Sequence, residues 1–185
     1  MTELKLIFSL LLFSVWLSSV IIAGGFNYGI DAQRTVEILS EEPRVKQLPN
    51  LSSYDFAFST MILHNKTILL YGGIDNARKC FQLKSGTWIY HSTFNEARIA
   101  SAAVATEKGT FVFGGGKSPN TYEYLPKDST IWQKGKVPIP DGFKNGCAIA
   151  VNSGQEIWLI GGRETERRIL SFHVDWHDFE ELSLR

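Results

Sequence analysis

The sequence predicts an all-β protein built from about four radially repeated sheets. Two observations support this fold class. Glycine pairs end four apolar runs, at Gly24–Gly25, Gly72–Gly73, Gly115–Gly116 and Gly161–Gly162, and the first glycines of successive pairs are 48, 43 and 46 residues apart. A period in the forties with one glycine pair per unit is typical of radially repeated β architectures. Aromatic residues also make up 12% of the chain and glycine occurs 16 times, a composition that suits strands and turns.

The repeat divides the chain after residue 19 into units at about 20–50, 51–93, 94–137 and 138–185. Each of the last three units contains a short apolar strand, a polar turn and the strand that ends in the glycine pair. A third and a fourth strand then follow. The first unit offers "VIIAGG", "TVEIL" and "VKQLP", which are three strands instead of four. We therefore expect the first sheet to lack its innermost strand.

Residues 1–19 have the composition of a secretory signal. "MTELK" is weakly positive, and the uncharged stretch that follows continues to Ile30. The sequence thus predicts a secreted or lumenal protein. Retention of the segment as a membrane anchor is the alternative, because about 20 apolar residues can span a bilayer. The cleavage position stays open. Cleavage near Ser18 or Ser19 would spare the strand "VIIA" but matches the signal-peptidase pattern poorly, whereas cleavage after Ala23 matches it somewhat better and would destroy that strand.

A large apolar residue follows a third-strand aromatic by seven or eight positions in three units. These pairs are Phe81 with Trp88, Tyr124 with Trp132, and Phe172 with Phe179. A glycine pair after a hydrophobic strand, followed by a spaced Tyr-like and a Trp-like residue, resembles the kelch repeat over about residues 20–185. This resemblance implies a β-propeller of kelch-type four-stranded blades.

The glycines and aromatics of the repeat have structural roles in this interpretation. Glycine lets the chain turn tightly where the backbones of two blades approach. Trp88, Tyr124, Trp132 and Phe179 would fill the space between neighbouring sheets. Four blades, one of them incomplete, could also be part of a larger propeller, because propellers typically have about 4–8 blades. Self-association through the open edges is then expected.

Charge and local motifs give no support for a catalytic, cofactor-binding or metal-binding site. Lys plus Arg equals Asp plus Glu at 19 each, which argues against nucleic acid as a partner. "GGFNYG" and "GGGKSPN" lack the spacing of dinucleotide-binding and phosphate-binding loops. His173 and His177 would lie roughly 13 Å apart on a strand, at about 3.3 Å per residue, which is too far for one metal ion.

Cysteine and asparagine positions bear on the compartment. Cys80 and Cys147 fall two blades apart on strands of different radius, so we expect free thiols, since a disulfide needs Cα atoms within about 7 Å. The triplets "NLS" at Asn50 and "NKT" at Asn65 are predicted glycosylation sites.

The leading hypothesis is a secreted or lumenal kelch-repeat protein that binds an unidentified protein partner. Inter-strand loops such as "FNYGIDAQR", "GKSPN" and "RETERR" would carry recognition. Two alternatives stay open: a fragment of an intracellular kelch adaptor of a ubiquitin ligase, and an extracellular propeller enzyme.

Overall fold

The structure is a computed structural model. It describes residues 19–23, 35–40, 45–51, 59–64, 67–74, 77–143, 146–162 and 168–182. These residues form strands and turns, with a 3-10 turn at Asn152–Gly154 and no α-helix. No helix in this part of the chain is long and apolar enough to cross a membrane.

Fifteen strands of the described residues form four antiparallel sheets. The first blade contains β1 (Ser19–Ala23), β2 (Val36–Ser40) and β3 (Val45–Leu48). The second contains β4 (Ser59–His64), β5 (Thr67–Gly72), β6 (Lys79–Lys84) and β7 (Thr87–Thr93). The third contains β8 (Ala102–Thr106), β9 (Gly109–Phe113), β10 (Tyr122–Pro126) and β11 (Gln133–Lys134). The fourth contains β12 (Cys147–Val151), β13 (Glu156–Ile160), β14 (Ile169–His173) and β15 (Asp178–Glu181).

The sheets are arranged as propeller blades. Strands follow chain order within each sheet, and β8 of the third blade lies beside both β4 and β12, so the innermost strands of successive blades are neighbours. The predicted all-β fold class is confirmed, and among the described residues the first sheet has three strands instead of four. Within the described part of the chain the four blades do not close into a ring.

Three hydrophobic cores lie between successive blades. The first joins Val36, Leu51, Leu70 and Trp88; the second joins Leu69, Tyr71, Phe94 and Trp132; the third joins Phe111, Phe113, Tyr122 and Phe172. Each strand alternates its side chains between two sheet faces, so neighbouring residues such as Leu69 and Leu70 contribute to different cores. The propeller is therefore held together by packing between blades.

The third glycine pair differs from the prediction by one residue. Gly114 and Gly115 have φ values of 60° and 107°, which match 74° and 100° at Gly72–Gly73 and 69° and 106° at Gly161–Gly162. Gly116 is not among the glycines with positive φ. The assignment of Gly115–Gly116 is thus wrong in register, because the run "FVFGGG" contains three glycines and the backbone uses the first two.

Close approach of the next blade explains why glycine is needed there. The N–H of Gly73 donates to the carbonyl oxygen of Arg98 (3.3 Å), and the N–H of Gly115 donates to that of Phe143 (2.9 Å). A Cβ on Gly72 would lie 2.6 Å from the same Arg98 oxygen, and a Cβ on Gly114 would overlap the same Phe143 oxygen. Each of these two glycine pairs therefore binds the backbone that leads into the following blade.

Candidate binding surface

A buried ion pair organises the loops at one end of the second and third blades. Arg98, in the segment between β7 and β8, and Glu123, in β10, both have 0% exposed side chains, and their Nη2 and Oε1 atoms lie 3.2 Å apart. Burial lowers the pKa of Arg98, and the negative charge of Glu123 opposes that shift. A buried charge is tolerated when it is paired and hydrogen-bonded.

The carboxylate of Glu123 also fixes the backbone that precedes Arg98. Its Oε2 atom accepts hydrogen bonds from the backbone N–H and the side-chain amide of Asn95, both at 2.7 Å. Its Oε1 atom accepts the backbone N–H of Glu96 at 3.0 Å. Three donors besides Arg98 therefore hold this carboxylate, and they attach the 94–101 segment to the third blade.

Arg98 in turn joins the two ends of the loop between β9 and β10. Its Nη1 donates to the carbonyl oxygens of Gly114 (2.9 Å) and Thr121 (3.0 Å), and its Nη2 donates to the Thr121 hydroxyl (3.0 Å). That hydroxyl donates to Glu96 Oε2 at 2.6 Å, and this hydrogen bond, with Lys134 nearby, holds the pKa of Glu96 below its ordinary value. One buried guanidinium thus closes the base of the 114–121 loop.

Hydrogen bonds to backbone carbonyl oxygens hold the rest of this loop. Gly116 N–H donates to the carbonyl of Ile99 (2.7 Å), and the Ser118 hydroxyl donates to that of Ala97 (3.1 Å). On the side of the fourth blade, the N–H of Phe143 donates to the carbonyl oxygen of Pro119 (2.7 Å), and the N–H of Ile139 donates to the backbone carbonyl oxygen of Asn120 (2.8 Å). The loop is therefore attached to both flanking segments.

Two polar side chains project from this supported loop into solvent. Lys117 and Asn120 are exposed, and Pro140 and Asp141 are exposed on the adjoining segment before the fourth blade. Arg168 supports that segment, because its Nη1 donates to Pro140 O (3.0 Å) and pairs with Asp141 (3.1 Å). We call the exposed surface of residues 116–120 and 138–142 the loop surface.

The predicted aromatic positions lie between blades. Trp88 contributes to the core between the first and second blades, and its Nε1 donates to Pro49 O (3.0 Å). Trp132 directly precedes β11 and donates to Ser92 Oγ in the second blade (2.9 Å). Phe179 packs against the core between the third and fourth blades. Each of these residues packs toward the preceding blade.

Tyr124 takes a different position from the one its spacing suggests. It packs against the core between the third and fourth blades, stacks on Phe111, and hydrogen-bonds to Gln133. The buried tyrosine of this strand is Tyr122, which is 1% exposed. Because side chains alternate along a strand, Tyr124 faces the following blade, whereas Trp132 faces the preceding one.

The two histidines of "HVDWHD" have separate partners. His173 stacks on the exposed Trp176 at 4.0 Å between ring centroids, and His177 Nδ1 hydrogen-bonds to Tyr122 Oη at 2.8 Å. Burial lowers the pKa of His177, and Lys136 lowers it further. Among the described residues no group of three His, Cys, Asp or Glu side chains could hold a metal ion.

Several other predicted sites are described in part. Cys80 lies in β6 and is a buried free cysteine, and burial raises its pKa to about 12. Asn50 is exposed after β3. The positions of Gly24, Gly25, Asn65 and residues 1–18 lie outside the described residues, as do all of the loop "FNYGIDAQR" and all of "RETERR" except Arg168.

Comparison with known protein families gave no match. A stretch of 69 residues, 35% of this chain, is 35% identical to a kelch domain-containing protein of Pyrococcus furiosus. The match spans 20% of that protein's length. Together with the sheets of four antiparallel strands, this similarity is compatible with kelch-type repeats.

Proposed function

We propose that this chain is a kelch-type protein-binding module and that the loop surface contacts its partner. The observation that carries the proposal is the support of the 116–120 loop by hydrogen bonds from both flanking segments. A loop that is already ordered loses little conformational entropy on binding, so its exposed groups contribute more of their interaction energy to affinity. The kelch domain of the Pyrococcus furiosus protein supports the same class.

The chemistry of the loop surface suits a polar protein partner. Lys117 offers a mobile cation, Asn120 offers an amide donor and acceptor, and Asp141 offers a carboxylate within the same surface. Pro119 and Pro140 stiffen the two backbone segments that present these groups. Such a surface combines both charge signs on a rigid frame, which favours specific recognition over general electrostatic attraction.

Photo-crosslinking tests this assignment. A photo-crosslinking amino acid at position 117 is expected to give one discrete adduct with another protein in cells that produce the chain. The same amino acid at position 107, exposed in the turn at the other end of β9, is the matched control and should give no such adduct. Asn120→Ala, combined with the probe at 117, should reduce the adduct several-fold. Equal adducts from positions 117 and 107, or none from 117, would contradict the proposal.

The compartment is part of the same proposal: the chain is secreted or lumenal. The strand Ser19–Ala23 pairs with β2 along its length, so cleavage near Ser18 would leave the first blade intact, whereas cleavage after Ala23 would remove β1. Asn50 is exposed next to Leu51, which is buried at 1% exposure and anchors the segment. A glycan on Asn50 would therefore extend into solvent.

Glycosidase treatment tests the compartment. Produced in a secretory cell, the protein is expected to migrate faster on a gel after glycosidase treatment, and Asn50→Gln and Asn65→Gln should each remove part of that difference. The doubly substituted protein should show no change on treatment. A cytosolic product with no glycan would contradict the proposal, and retention in carbonate-washed membranes would indicate the anchored alternative.

A further inference from the structure

Two histidines reach from the flanking blades to the third blade. His64 ends β4 of the second blade and is 8% exposed. Its Nδ1 atom lies 2.7 Å from the hydroxyl oxygen of Thr110 in β9, and its Nε2 atom lies 3.2 Å from the carbonyl oxygen of Lys127, which follows β10. His177 lies in the turn between β14 and β15 of the fourth blade, and its Nδ1 atom lies 2.8 Å from the Tyr122 hydroxyl of β10. One imidazole therefore contacts the third blade from each of its two neighbours.

The hydrogen bonds of His64 are those of a neutral imidazole. A carbonyl oxygen can only accept, so Nε2 carries the hydrogen that is donated to Lys127, and Nδ1 accepts the hydrogen of the Thr110 hydroxyl. A proton added to Nδ1 would reverse the second hydrogen bond. Because Thr110 is 0% exposed, its hydroxyl hydrogen would then need a new acceptor between the blades, and a buried donor without an acceptor costs free energy.

The surroundings of His64 also disfavour its charged form. Burial lowers the pKa of His64, and the hydrogen bond to Lys127 and the negative charge of Asp128 oppose this shift only in part. His91 of β7 is a titratable group on the side of the second blade, and its pKa is lowered by burial and by His64. Lys108, whose carbonyl oxygen accepts the Lys127 N–H, directs its ammonium group to a carboxylate of the fourth blade. His64 is therefore neutral at pH 7.

His177 is likewise hydrogen-bonded as a neutral imidazole. The backbone N–H of Lys136 donates to the Tyr122 hydroxyl oxygen, so the hydroxyl hydrogen is available to His177 Nδ1. The His177 ring also contacts the rings of Tyr124 and Phe111, at 4.9 and 6.0 Å between centroids. A proton on Nδ1 would displace the Tyr122 hydrogen from its acceptor and place a charge between the third and fourth blades, at a cost in free energy.

The charged groups near His177 do not offset this cost. Burial lowers the pKa of His177, and the positive charge of Lys136 lowers it further. The two carboxylates of the same turn have other partners. Asp175 pairs with Lys108 of the third blade, and Asp178 Oδ1 accepts the backbone N–H of the residue that follows it at 2.9 Å. Both histidines that contact the third blade therefore favour the neutral form.

We infer that His64 and His177 make the propeller acid-sensitive: their protonation loosens the second and fourth blades from the third. The pKa of each histidine in the folded chain lies below the ordinary value of 6.5, so the unfolded chain takes up these protons first as the pH falls. The stability that the two contacts provide is fully present above about pH 6.5 and is lost as the pH falls from there toward the folded-state pKa values.

Urea denaturation of the full chain at about pH 7 and about pH 5 tests this inference. We expect the equilibrium constant for unfolding to rise about tenfold or more at the lower pH. His64→Asn/His177→Asn should lose most of this rise, because an asparagine amide can accept the same hydrogen bond but takes up no proton. His173→Asn is the matched control and should keep the full rise, since His173 stacks on the exposed Trp176 within its own turn.

An NMR titration of the imidazole protons in the unsubstituted chain gives a second measurement that does not depend on the double variant folding. The sequence has four histidines, and the single asparagine variants assign their signals. We expect His64 and His177 both to titrate below pH 6.5. Titration of either at or above that value would overturn the inference. So would an unfolding equilibrium that does not change with pH, or a rise that the double variant retains in full.

Discussion

Replacement of Arg98 by methionine is expected to lower the free energy of unfolding by about 3–5 kcal/mol. Methionine removes the cation that pairs with the fully buried Glu123 carboxylate, and it removes the guanidinium hydrogen bonds to the carbonyl oxygens of Gly114 and Thr121. Most of the lost free energy of unfolding comes from the buried Glu123 carboxylate, because without Arg98 this charge is neither paired nor hydrated. Urea denaturation of the wild type and the variant measures this difference.

A double substitution separates the effect of the unpaired charge on stability from the effect of the altered packing. In Arg98→Met/Glu123→Gln no unpaired charge remains, and the new side-chain amide at position 123 can still accept a backbone N–H from the 94–101 segment through its carbonyl oxygen. We expect this protein to be more stable than Arg98→Met alone. A loss below about 1 kcal/mol for Arg98→Met would show that the pair is hydrated, contrary to its burial.

Replacement of Gly114 by alanine should lower the free energy of unfolding by about 3 kcal/mol or more. Gly114 has φ of 60°, where an L-residue costs about 1–2 kcal/mol. Its new Cβ would also overlap the carbonyl oxygen of Phe143, which is backbone and accepts the Gly115 N–H. Relief of that overlap would move the fourth blade away from the third, so the core between them would lose contact as well.

Much of the fold could be predicted from the sequence because its signals are local and repeated. A strand that ends in a glycine pair recurs at a nearly constant spacing, and the short strand before it is apolar in three units. The incomplete first blade follows from the same count. Such patterns are visible without knowledge of which strands are neighbours, since each blade is formed by one continuous stretch of chain.

Two details could not be predicted because they depend on register. The run "FVFGGG" offers two possible pairs, and the choice of Gly114–Gly115 is made by the position of the Phe143 carbonyl in the next blade. Spacing aligns Tyr124 with Phe81, yet a one-residue offset moves a side chain to the other face of a strand. In both cases a contact with a neighbouring blade determines which residue occupies the repeated position.

The buried Arg98–Glu123 pair could not be predicted either. Its two residues are 25 positions apart in different segments, and each is ordinary in its own context. One local signal is present: Glu123 interrupts the apolar strand "TYEYL", and a carboxylate at such a position needs a buried partner. The composition of the loop "GKSPN" identifies it as a candidate binding loop. Its attachment to both flanking segments could not be predicted, because it depends on non-local hydrogen bonds.

Comparison of the melting temperatures of the Gly114→Ala and Gly116→Ala variants tests most directly whether the glycine pairs hold successive blades together. Both variants add one methyl group to adjacent parts of the same loop. A Cβ on Gly116 would lie no closer than 3.8 Å to a neighbouring atom, the carbonyl oxygen of Ile99, and that residue lacks a positive φ. We predict a Gly116→Ala protein within about 0.5 kcal/mol of the wild type and a Gly114→Ala protein that unfolds well below it. Equal melting temperatures for the two variants would contradict the assigned register and the contact between the third and fourth blades.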